Sequence, residues 1–489
     1  MGTLFKNGTI VTASEQYKAD VLVEGEIITM IGKSIPSKGH EVVDCRGKHL
    51  LPGGIDVHTH LDLPFGGTYS NDDFESGHIA AAFGGTTSHI DFVIQPIGGS
   101  LADGLKTWRK KAEKACIDYG FHMAITDLRD EVMEEIPSMV KEGVTSLKLF
   151  MAYKNVFMID DDTLYRAMQV AAANGMIVMV HAENGDVEVI LREQLLRENK
   201  TDPKYHYYSR PPEIEGEATN RAVIMAGMTS CPLYVVHMTC EESIRALQYG
   251  RGLGYPVMGE TCTQYLFLTK EDLARPGFEG SKFVCSPPIR SVHDQEVLWK
   301  ALRDGTLQAV STDHCDFWYE GGTGDWEGWM KSHPDGDWAE FEKTPGNRRP
   351  GKELGKGNFA KIPNGMPGLE DRMMVGWHYG VNGGRFSANR FVELHCTNPA
   401  KIFGMYPRKG TIAVGSDADI VVWDMKQRKT ISARNHHMRV DYNVYEGSKV
   451  RGVPVQVYLR GKQIINGSEW VGENGKGQFI ARQPYAQVI

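Results

Sequence analysis

The chain changes rhythm twice. Near its start, apolar and polar positions alternate in TLFKNGTIVT, KADVLVEGEIITMIG and HEVVDCRGKHLL. Period-two alternation broken by glycine predicts short antiparallel strands. The end repeats that texture in GTIAVGSDADIVVWD and VPVQVYLRGKQIING. Between the two ends, short apolar runs recur as GGIDVHTH (53–60), TTSHIDFV (86–93), GFHMAIT (120–126), TSLKLFM (145–151), MIVMVHAE (176–183), PLYVVHM (232–238), YPVMGETC (255–262) and LQAVSTDH (307–314). Amphipathic stretches with glycine stops, such as DDTLYRAMQVAAANG and CEESIRALQYGRG, separate them. Eight strands alternating with helices predict an α/β fold, a (β/α)8 TIM-like barrel over 53–400. The flanking segments, 1–52 and 401–489, are each too short for a domain. They predict one smaller β-sandwich domain built from both termini, with a C-terminal tail.

Composition narrows the partners. With 41% apolar and 24% charged residues the chain is ordinary globular protein, and its net charge of −8 argues against nucleic acid. No apolar run is long enough for a membrane span, and the start lacks a basic-then-apolar leader. Lys6 stands where a myristoylation signal needs Ser or Thr. The eight cysteines form no C-x-x-C and read as reduced thiols, so the expected location is cytoplasmic.

In a barrel of this kind chemistry sits at the C-terminal ends of the strands. There the sequence places His58 and His60, Lys148, His181, His237 and Asp313, each after an apolar run. His58 and His60 are two apart, so in a strand both point to one face. Imidazoles with a carboxylate suit Zn²⁺ or a similar divalent ion. The set exceeds what one tetrahedral ion uses, and a metal pair activates water and polarises a carbonyl. Lys148 has two readings. An inward amine, its pKa lowered by burial, can add CO2 to become a bridging carbamate. An outward one snorkels to solvent.

These residues lie in motifs that resemble the cyclic amidohydrolases, most closely the dihydropyrimidinase/D-hydantoinase family: PGGIDVHTHLDLPFGGT, SLKLFMAYKN, VHAENGD, EGEATNRA, VVHMT, SPPIR, STDHC, KIPNGMPGLEDR and GTIAVGSDADIVVWD. The motifs run almost the length of the chain. The resemblance implies a homotetramer and two Zn²⁺ per subunit. His58, His60 and Asp313 would hold the buried ion and His181 and His237 the more exposed one. Lys148, as N6-carboxylysine formed with CO2, would bridge them. It implies that Tyr153 donates to the oxyanion and that Asp313 carries a proton from the attacking water to the leaving nitrogen. It further implies that the backbone at Ser286 and Asn364 holds the ring amide, and that Leu63, Phe65, Phe150 and Phe157 meet the exocyclic group. The expected activity is hydrolysis of a small cyclic amide, with no nucleic-acid or membrane partner. A 5,6-dihydropyrimidine would give an N-carbamoyl-β-amino acid, as in pyrimidine degradation, and a 5-substituted hydantoin an N-carbamoyl-α-amino acid.

Three alternatives are weighed. Dihydroorotase reads a substrate carboxylate with an arginine two residues after the second histidine, where this chain has Asp62. An allantoinase-like cyclic ureide hydrolase has a different loop after the histidine pair. A non-catalytic dihydropyrimidinase-related scaffold would have lost the ligands kept here. One departure from the family is a tryptophan-rich insertion, about 318–350, between STDHCDF and IPNG. Its Gly, Pro and Asp content predicts loop rather than long helix. Its tryptophans predict that it packs, over the mouth or, the favoured expectation, against a neighbouring subunit.

Overall fold

Eight parallel strands follow one another in chain order in the computed structural model, which describes residues 2–333 and 337–486. They are Gly54–Thr59, Thr86–Ile94, Asp118–Ala124, Ser146–Phe150, Ile177–His181, Leu233–Val235, Val257–Cys262 and Ala309–Ser311. Each falls on one of the eight runs that the sequence marks. A parallel bridge from Thr59 to His314 joins the last strand to the first and closes the barrel. The sixth and eighth strands are short for a local reason. His237 and Asp313, just beyond them, have φ of 39° and 51°, outside the β region. In the interior, Ile90, Phe92, Ile177, Met179 and Tyr234 cluster with Phe403 and Met405.

The helices between strands form where the apolar positions recur at helical spacing. Asp161–Ala173 buries Leu164, Ala167, Met168 and Ala171 on one face, and the Asp160 side chain caps it by accepting from Thr163 N–H.

Both ends of the chain meet in one nine-stranded sheet. Its seam is antiparallel pairing of His49–Pro52 with Ile420–Thr430. The expected all-antiparallel pattern fails at one place. Thr3–Val11 pairs in parallel with Glu41–Asp44 and with His49–Pro52, because the chain returns to the same side through a loop rather than a hairpin. Phe5, Ile10, Val21, Leu50, Ile420 and Tyr458 form its core. Buried Lys409 ties sheet to barrel, reaching Asp118 at 2.6 Å and Asp419 at 2.8 Å.

The tryptophan-rich segment holds two short helices, Trp326–Ser332 and Trp338–Phe341. Trp326 stacks on Trp338 at 3.6 Å and on Trp329 at 5.4 Å, and Phe341 packs edge-on against all three. Its residues 334–336, and 487–489 of the C-terminal part, lie outside the described residues.

Candidate active site

The floor of the barrel mouth gathers the strand-end residues. His58 and His60 lie with their rings 5.2 Å apart, and one Asp313 oxygen stands 3.1 Å from Nε2 of each. The rings of His181 and His237 are 4.5 Å apart. Ligand atoms of His58, His237 and Asp313 fall within 4.8 Å of one another, close enough for one ion. Burial holds His60 down to about 4 and pushes His181 and His237 well below the usual histidine range. They are neutral at pH 7, the form that carries a free lone pair for a metal.

Lys148 points inward, wholly buried, with Nζ 5.1 Å from the Phe92 ring and 5.0 Å from the Phe150 ring. The snorkelling reading is thus excluded. Nζ has no hydrogen-bond partner among the described residues, and neither do Nδ1 of His60 and Nδ1 of His237. Burial pulls Lys148 down to about 7. A buried donor and two buried ring nitrogens of one cavity left unpaired among the described residues are costly, unless a further group binds there. The donor set therefore fits divalent metal, with His58 apart in that the Asp313 carboxylate outweighs burial and raises its pKa.

Sequence reasoning missed the groups that aim these ligands. Glu260 meets His58 Nδ1 at 2.6 Å and accepts from the Tyr234 hydroxyl at 3.0 Å. This turns Nε2 of His58 toward the cavity. Glu183 lies 2.7 Å from His181 Nε2 and accepts from Arg210 at 2.7 Å. The only trace in the sequence is a glutamate inside an apolar run (VMGETC) and another beside a candidate histidine (VHAEN).

The walls bring together the substrate-contact residues that the resemblance implies. Leu63, Phe65, Phe150, Tyr153, Phe157, Ser286 and Asn364 line the same cavity as the floor residues, with Ile94, Cys315 and Gly365 added. About 490 Å³ of space lies among these residues, part of it open to solvent. Tyr153 lies beside His181, with ring centroids 5.1 Å apart, and Phe65 is edge-on to it at 5.3 Å. Its φ of 65° is left-handed, a strained value for a tyrosine, and its carbonyl accepts from the N–H groups of Val156, Phe157 and Met158. Arg210 stands over its ring at 5.5 Å. The Asn364 side chain donates to Ser286 Oγ at 3.0 Å.

One sequence argument needs correcting. Asp62, which stands where dihydroorotase has its arginine and whose charge would repel a substrate carboxylate, is not part of the cavity lining and pairs with Lys111 at 3.2 Å. Among the described residues the lining contains no arginine.

A second group, Asp72, His314 and Asp316, is also tight enough to suggest a metal. Its hydrogen bonds say otherwise. His314 Nδ1 accepts from Gly368 N–H at 3.2 Å, so Nε2 carries the proton and donates to Asp72 at 3.1 Å. That nitrogen has no lone pair to give.

The model of the amidohydrolase family matches residues 49–464. The chain belongs to this family and is a hydrolase of cyclic amides. Within it, the chain groups with hydantoinases and dihydropyrimidinases. It is 47% identical over 491 residues to the D-hydantoinase of Geobacillus stearothermophilus, covering 100% of this chain and 98% of that one. It is 40% identical over 491 residues to the dihydropyrimidinase of Dictyostelium discoideum, covering 99% and 92%. Among solved structures, a dihydropyrimidinase from Brevibacillus agri is 48% identical and matches with a TM-score of 0.93 over 100% of both chains. No helix among the described residues is long and apolar enough to cross a membrane.

Proposed function

We propose that this chain opens the ring of 5,6-dihydropyrimidines and of 5-substituted hydantoins, releasing N-carbamoyl amino acids. In this reading His58, His60, His181, His237 and Asp313 hold two zinc ions, together with a carbamate on Lys148. The observation that carries it is the Lys148 amine, wholly buried, unpaired and held near neutrality among metal-type donors. A neutral amine adds CO2 and sheds one proton, turning an unpaired donor into a carboxylate. Bound metal would supply activated water and a polarised carbonyl.

The protein's own groups do the rest. The Tyr153 hydroxyl donates to the carbonyl oxygen as negative charge develops there. Asp313 accepts a proton from the attacking water and returns it to the ring nitrogen as the C–N bond breaks. Backbone groups at Ser286 and Asn364 grip the ring amide. Leu63, Phe65, Phe150 and Phe157 surround the exocyclic substituent and keep bulk water out. A homotetramer, a cytoplasmic location, and the division into 1–52, 53–400 and 401–489 complete the reading.

Comparing kcat/KM for dihydrouracil, dihydrothymine, hydantoin, 5-substituted hydantoins and allantoin, with zinc counted per chain, tests it. Turnover of dihydrouracil and hydantoins with two zinc ions is the expected result. Preference for allantoin would assign the ureide reading. Absence of metal and turnover would assign the scaffold.

A further inference from the structure

The segment that closes the tryptophan-rich insertion, Arg349 to Lys352, bonds to three of the loops that form the cavity's rim. Arg349 is buried and donates to the Ser70 carbonyl at 2.9 Å, while Thr68 Oγ1 donates to the Pro350 carbonyl at 2.6 Å. Both bonds hold the 61–70 loop that carries Leu63 and Phe65. Glu342 neutralises Arg349 at 2.9 Å and also accepts from Trp318 Nε1 at 3.0 Å, which pins the insertion's start to its end. Gly351 passes so near Trp318 that a Cβ would lie 2.1 Å from its carbonyl oxygen, so only glycine fits.

Lys352 completes the arrangement. Its ammonium is buried and donates to Val284 O at 3.0 Å, Pro363 O at 2.6 Å and Gly365 O at 2.7 Å. Three carbonyls match the three protons of an ammonium. They belong to the two loops that present Ser286 and Asn364, which are also joined by Gly365 N–H to Val284 O at 2.9 Å.

We infer that Arg349–Lys352 is a brace that sets substrate recognition from behind the cavity wall, with its two ends controlling different parts of the substrate. Lys352 is a positioning residue for the ring-amide grip, and Arg349 is one for the apolar wall that meets the 5-substituent. Neither side chain lines the cavity. The inference rests on the proposed reading of Ser286, Asn364, Leu63 and Phe65. It makes the insertion's anchored foot a determinant of specificity, whatever its outer helices cover.

The two halves separate by experiment in the full-length, metal-loaded enzyme. Lys352→Met should raise KM for unsubstituted hydantoin and for 5-phenylhydantoin alike, on the order of tenfold, since three charge-assisted hydrogen bonds are lost. Its kcat and zinc content should stay within about twofold of the parent, because the floor residues keep their own partners. Arg349→Met should instead change the ratio of kcat/KM between those two substrates by a comparable factor. Thr68→Val, which keeps the side chain's shape and removes one bond of the same brace, should shift that ratio in the same direction by less. Parent-like KM values and ratios in these variants would overturn the inference. So would equal losses of kcat and zinc, which mark general unfolding. Amide hydrogen exchange gives a readout independent of turnover. Exchange should quicken in 284–287 and 363–366 for Lys352→Met, and in 61–70 for Arg349→Met or Thr68→Val. The converse or no pattern refutes the brace, whereas a parent enzyme inert toward both hydantoins refutes only the substrate reading.

Discussion

Lys148 on the floor of the cavity and Lys352 behind its rim are both fully buried; burial pulls Lys148 down to about 7 and acts on Lys352 in the same direction, where three accepting carbonyls oppose it. Their surroundings differ. Lys352 has a backbone carbonyl for every proton. Lys148 has aromatic rings about it and no hydrogen-bond partner among the described residues. A buried donor that is fully paired belongs to the scaffold, whereas one left unpaired is paid for by some other gain. The rim is complete within the chain. The floor has the chemistry of a place where something else binds, and in the proposed reading its lysine becomes a ligand.

The sharpest way to break this comparison is Lys148→Ala. Turnover should vanish and at least one metal per chain should be lost, with partial recovery of both on adding short carboxylic acids. Two retained metals with near-parental turnover would remove Lys148 from the site. Next in size, Asp313→Asn should cost more in kcat than Tyr153→Phe, and the latter on the order of 10²–10³, the usual worth of one oxyanion donor. Steady-state rates across pH check this, since Asp313→Asn should also flatten the acid limb.

Smaller effects concern stability. A lysine whose pKa falls on folding costs stability below its unfolded value, unless bonds offset the burial. In metal-free protein, Lys148→Met should therefore raise the denaturant midpoint. Lys352→Met should lower stability by about 1–3 kcal/mol, because it strands the carbonyls of Pro363 and Gly365. Shifts of the same sign would erase the distinction. The smallest expected effect is in reconstitution. Only the neutral Lys148 amine adds CO2, and it predominates above a pKa of about 7. Recovery of activity from metal-free enzyme with zinc and bicarbonate should slow as pH falls through that value, and a flat profile would count against the carbamate.

Much of the floor was readable because strand periodicity and chain order are local. An apolar run ending in a polar residue marks both a strand and its mouth-facing end, as IVMVH does for His181, whereas Lys148 lies in the middle of SLKLF. The aromatic and loop residues of the walls were legible through their motifs, not through spacing. Asp62 shows the limit of that approach. Its identity was plain, but its left-handed φ of 50° and its pairing with Lys111 were not, and they keep it out of the cavity lining.

By itself the sequence determined the eight-strand repeat, the joining of both ends in a separate sheet, and the ligand types at the barrel mouth. These follow from side-chain alternation and from the handed, ordered connection of parallel strands. Tertiary structure alone decided which polar groups are partners. His58 takes Glu260 from 202 residues away, and Lys352 takes Val284 from 68 residues away. His314, flanked by acids like a metal ligand, becomes a hydrogen-bond donor because Gly368 occupies its other nitrogen. Such pairings are set by which chain segments burial forces together, and no local pattern of residues encodes that.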